Sequence, residues 1–100
     1  MAGLFSVAGT SRLNGVVKVR FANNIHARTK ILERGGHTDI SLMEFSRRMS
    51  KLECCERLIN HPAYQDEESQ AAIFKYVALN ASNSYDSFRS VIANKEAVTA

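Results

Sequence analysis

The pair Asn14-Gly15, set between Leu13 and the run Val16-Val17-Lys18-Val19-Arg20-Phe21-Ala22, constrains this chain more than any other feature. A two-residue loop joining antiparallel strands needs positive φ at both positions, and Asn-Gly beside a β-branched run is the strongest short-range signal for such a type I′ hairpin. A strand is therefore expected over 16–22, with Val17, Val19 and Phe21 on one face and Val16, Lys18 and Arg20 on the other. Its hairpin partner must fall within residues 4–13, where Ala8-Gly9-Thr10-Ser11 has poor strand propensity. That partner is expected to be weak, and disorder is admitted for the first ten residues.

After the strand, Asn23 or Asn24 can cap a helix and Gly35-Gly36 can end one. Steps of 100° place Ile25, Arg28, Ile31 and Leu32 on one arc of that helix, with His26, Lys30, Glu33 and Arg34 opposite. Residues 38–45, mostly apolar, have the length of a second strand. Strand, short helix and strand together predict a βαβ crossover with two parallel strands. The remainder reads as helical: Ser50-Lys51-Leu52-Glu53 is a capping box opening a helix that His61-Pro62 closes, Asp66 announces a third helix, and a fourth begins near Ser84. The expected fold class is α+β, a small single domain in which a βαβ half (11–46), with an N-terminal hairpin strand, is packed by two or three further helices of a C-terminal half (47–100).

Composition bounds the rest. One hundred residues, 45% hydrophobic and 23% charged, describe an ordinary globular chain with one modest core. No run of about 18 apolar residues is present, and the N-terminus lacks the basic region and apolar stretch of a signal peptide, so no membrane association is expected. The only cysteines, Cys54 and Cys55, are neighbours, with Cα atoms about 3.8 Å apart and Cβ vectors that diverge on a helix. A bridge between them is excluded on geometry, and reduced thiols point to a cytoplasmic protein.

The stretch Leu52–His61, with both thiols and a histidine, is the sharpest catalytic hint. Leu52, Cys55 and Ile59 fall at i, i+3 and i+7, however, and free cysteine on such a stripe behaves as a small buried hydrophobe. Adjacent thiolates on a helix cannot both reach one tetrahedral zinc ion, and no Cys-x-x-Cys is present to supply a redox pair. No nucleophile, base and orienting group can be assembled, so neither catalytic residues nor a metal or other cofactor are expected.

Charge offers more. Residues 1–51 carry nine basic groups against three acidic, a net +6, while residues 52–100 carry four against seven, a net −3. Such a split serves an anionic partner, an attraction between the two halves, or docking of two copies. Lys18, Arg20, Arg28, Arg47 and Arg48 are the candidates for binding an anion or nucleic acid. Arg28 is singled out because it lies inside an apolar arc, where it must snorkel, pair with Asp39 or Glu44, or meet an anion. The Gly35-Gly36-His37-Thr38-Asp39 loop offers His37 and Asp39 as ligand residues. In the last helix Tyr85, Phe88, Val91 and Ile92 form an apolar stripe suited to a partner or a second copy. The functional expectation is a small non-enzymatic accessory or regulatory protein acting through protein–protein contacts, as a homodimer in one form. The alternative is nucleic-acid or other anion binding through the basic N-terminal half.

Overall fold

The computed structural model describes the backbone of residues 3–99 and the side chains of residues 3–92. Strand β1 (Phe5–Leu13) and strand β2 (Val16–Ala22) form the expected hairpin, with Asn14 at φ 52° and Gly15 at φ 77°, the two positive values a tight turn of this hand requires. Helix α1 (Ile25–Arg34) begins at Asn24, whose side chain accepts from the Ala27 amide, and strand β3 (Thr38–Met49) follows. Helices α2 (Lys51–Asn60), α3 (Glu67–Asn80) and α4 (Tyr85–Thr99) complete the chain, with single 3-10 turns at Pro62–Tyr64 and Ser82–Ser84 between them. Ser50 accepts from the Glu53 amide at 3.2 Å, but the Glu53 carboxylate turns to Arg47 instead of closing the other half of the capping box.

The sheet has the order β2-β1-β3, and both ladders are antiparallel. This corrects the expected βαβ unit of two parallel strands: β2 and β3 do not pair, because β1, the segment read as a weak hairpin strand or as disorder, lies between them and hydrogen-bonds to both. The reason is local. Residues 7–11 are all buried, in a strand covered on both faces and paired on both edges, where small residues are tolerated and at Gly9 required. Gly9 is the tightest point, since a Cβ there would run into the Ser41 carbonyl oxygen and lie 2.8 Å from the Leu42 Cα. Alanine, glycine and serine, poor strand formers by propensity, are accepted beside Val7 and Thr10 in this central strand.

The register assigns the faces. Ala8 opposite Phe21 and Met43, and Thr10 opposite Val19 and Ser41, look toward α2, α3 and α4. There the main core assembles from Ala8, Met49, Cys54, Cys55, Leu58, Ile59, Tyr64, Ile73, Val77 and Phe88. Both sulfurs are fully buried, the Cys54 thiol lying between the Phe5 and Met49 carbonyls at 3.8 and 3.9 Å, and burial pushes Cys54 up to about 11 and Cys55 up to about 12. The stripe of α2 is core, as its spacing implies. Phe88 joins it, packing edge-on against Phe74 with ring centroids 5.5 Å apart.

Val7, Gly9 and Ser11 alternate to the other face, beside Ala22, Arg20 and Lys18 of β2. This side is covered by α1, which contributes buried Leu32 against β3. An irregularity in β3 between Thr38 and Ser41, where Asp39 takes φ 50°, shifts the register by one residue and swings Asp39 to Arg12.

Candidate functional site

On the α1-covered face the alternation of β2 brings Lys18 and Arg20 to one side. His37, in the turn between α1 and β3, meets them across the end of the central strand. Leu13, Asn14, Val16, Lys18, Arg20 and His37 line a pocket of about 290 Å³. Ser11, with no exposed surface, is hydrogen-bonded to two of these residues. Arg20 Nε donates to Ser11 Oγ at 2.8 Å, and Ser11 Oγ lies 2.9 Å from His37 Nδ1. Ser11 Oγ thus accepts from Arg20 and shares a second hydrogen bond with His37, whose direction follows the imidazole tautomer.

Arg28, on α1, adds its field. Burial first, and then the charge of Arg28, lower the pKa of Arg20; burial, Arg20 and Arg28 in that order lower the pKa of His37. Charges of one sign thus face one another here. Arg28 Nε is buried without any hydrogen-bond partner, and no ion pair among the described residues involves Lys18, Arg20 or Arg28. The carboxylates that Arg28 was expected to meet are not paired with it: Asp39 belongs to Arg12 at 2.9 Å, and Glu44 forms no ion pair.

Other sequence candidates separate. Asp39 and His37, neighbours in the loop, go to opposite faces of the sheet, Asp39 to the Arg12–Glu68 cluster and His37 to Ser11. Arg12 bridges Asp39 at 2.9 Å and Glu68 at 2.6 Å and, together with Arg47–Glu53 at 2.7 Å, joins the basic half of the chain to its acidic half. This is where part of the sequence's charge asymmetry is neutralised. Arg47 and Arg48 sit at the far end of β3, about 30 Å along the strand from Thr38 at roughly 3.3 Å per residue, and do not join the pocket. In α4, Phe88 is buried while Tyr85, Val91 and Ile92 are half-buried, and Tyr85 and Ile92 pack against the domain's own core.

Sequence reasoning missed Ser11, which has no signal beyond being a small polar residue, and Tyr64, whose hydroxyl donates to the Ser41 carbonyl at 2.9 Å inside the core. Among the described residues, no cluster of three metal-ligating side chains occurs, and no helix is long and apolar enough to cross a membrane. The chain matches no protein-family model, no curated protein and no solved structure. Geometry and charge are what define the site.

Proposed function

We propose that this protein is a small binding module whose α1-side pocket captures an oxyanion, a carboxylate or a phosphate, between Lys18, Arg20 and His37 with Arg28 supplying additional field. One observation carries the reading: Lys18, Arg20 and His37 line one pocket with no acidic side chain in its lining, and the charge of Arg28 reaches both Arg20 and His37. Repulsion among like charges destabilises a fold, and a bound anion offsets it. Arginine suits the role through its planar fork, and an imidazole held in place by Ser11 lies beside it. The protein works without chemistry of its own, in the reducing cytoplasm that two buried, unpaired thiols support.

The test is a thermal melt in the presence of inorganic phosphate or sulfate against chloride at equal ionic strength. Phosphate and sulfate raise the midpoint of the wild-type chain by mass action, and Arg20→Gln removes most of that rise. Equal midpoints in all three salts would remove the basis for the reading.

A further inference from the structure

Two grooves flank the same strand edge. On the α3 side, Val17, Val19, Ala72, Tyr76 and Leu79 floor a cavity of about 400 Å³ with Lys75 at its rim; on the α1 side lies the cationic pocket. Val16 and Lys18 line both, so β2 is the wall between them. The strand is at the edge of the sheet, and its apolar surroundings are open to solvent, with Val16 48% and Leu79 72% exposed. In a two-residue hairpin the closing pair Leu13–Val16 belongs to the ladder, so alternation turns the amides and carbonyls of Val17, Val19 and Phe21 outward. No backbone hydrogen bond outside the β1–β2 ladder reaches them among the described residues.

We infer that the occupant is an extended segment of another protein, alternating acidic and apolar residues, that adds to β2 as a fourth strand. The inference rests on the anion reading above and names the carrier of the anion. A strand laid along β2 presents alternate side chains to opposite faces, which here means one set over the apolar α3 groove and the other over Lys18, Arg20 and His37. Main-chain bonds to residues 17, 19 and 21 supply affinity, and the two unlike grooves set the alternation. Charge complementarity favours a foreign acidic strand over a second copy. Antiparallel pairing of β2 with its own image would set Lys18 and Arg20 against Lys18 or Arg20 on one face, an arrangement that destabilises a ladder.

The experiment titrates the whole protein into a fluorescent peptide of roughly seven residues, the length of β2, alternating glutamate and valine. Three controls accompany it: the same peptide with lysine for glutamate, the same peptide methylated on the backbone nitrogens that face β2, and a single-stranded RNA oligonucleotide. Binding of the glutamate peptide is expected, with at least about a tenfold loss on methylation or charge reversal. Val17→Pro deletes an outward-facing donor while sparing the ladder amides, and is expected to lose the peptide but keep the response to inorganic phosphate. Equal binding of the methylated peptide would overturn strand addition, as would RNA binding that the peptide cannot displace, or a dimer in sedimentation that Val17→Pro dissociates. If phosphate raises the melting midpoint and no peptide binds, the strand inference alone fails. If phosphate has no effect either, the anion reading fails with it.

Discussion

Arg28→Met separates an arginine kept for a ligand from one kept for packing. In the free protein the Arg28 Nε is buried with no partner. An unsatisfied buried donor costs about 1–3 kcal/mol. Arg28 also opposes the charge of Arg20 nearby. Methionine retains the apolar stem of arginine and fills the same part of the α1–sheet interface, so most van der Waals contact survives. The net expectation is a gain of about 1 kcal/mol, which for a domain of this size raises the melting midpoint by roughly 4–8 °C. Circular dichroism melts in a low-salt buffer free of phosphate and sulfate give that number. With phosphate at 100 times its dissociation constant the wild type gains about 2.7 kcal/mol, and the variant, lacking part of the field, gains less. The two curves therefore approach or cross as phosphate is added. A variant that melts below wild type without phosphate, and gains as much from it, would show that Arg28 holds the helix to the sheet and has no part in the pocket.

His37 has its pKa lowered in the fold, so the unfolded chain binds the extra proton first: its contribution to stability is present above about pH 6.5 and is lost as pH falls below that value. His37→Gln flattens denaturation midpoints across pH 5–7, while sulfate affinity of the wild type rises as the pH falls through that range because a bound anion favours the imidazolium; a denaturant series at stepped pH, with and without sulfate, reads both. Gly9→Ala forces β1 and β3 apart at Ser41 and Leu42 and is expected to cost about 3 kcal/mol or more, seen as a drop in the urea midpoint. Cys54 and Cys55, fully buried with raised pKa values, should react with a thiol reagent only at the rate at which the native protein opens, in contrast to a free thiol. Arg47→Ala with Arg48→Ala, distant from the pocket, should leave the phosphate response unchanged in the same melts.

How much of this was legible in the residues differs from element to element. Asn14-Gly15 declared its turn because few residues tolerate positive φ in succession, and Asn24, Ser50 and Asp66 declared their helices because each accepts from an amide that would otherwise be unpaired. Cys55 was readable as core from spacing, whereas Cys54, placed by the same spacing at the edge of the stripe, is equally buried. The sheet order was not readable. Propensity describes strands with room for side chains, whereas β1 is squeezed between two neighbours, where Ala8, Gly9 and Ser11 are favoured for smallness. With β1 discounted, strand, helix and strand read as a parallel unit, although the crossover through α1 passes over the missing strand.

The site followed the same logic. Lys18 and Arg20 were placed on one face by period 2, and Arg28 stood out within an apolar arc, so three of its parts were visible. His37 was visible only as a loop residue paired with Asp39 in sequence, and the positive-φ turn at Asp39 is what sends the two to opposite faces. Ser11, which ties Arg20 to His37, carries no pattern that one chain reveals.

The claim at the centre of this account is that Arg20, Arg28 and His37 are held close together for an anion. Its most direct measurement is a phosphate titration followed by nitrogen-15 NMR of the arginine Nε–Hε and imidazole signals. Progressive, saturable shifts of Arg20, Arg28 and His37, with Arg12 and Arg47 unmoved in their carboxylate pairs, are the predicted result. Signals that stay fixed, or that shift equally for all arginines in proportion to ionic strength, would contradict it.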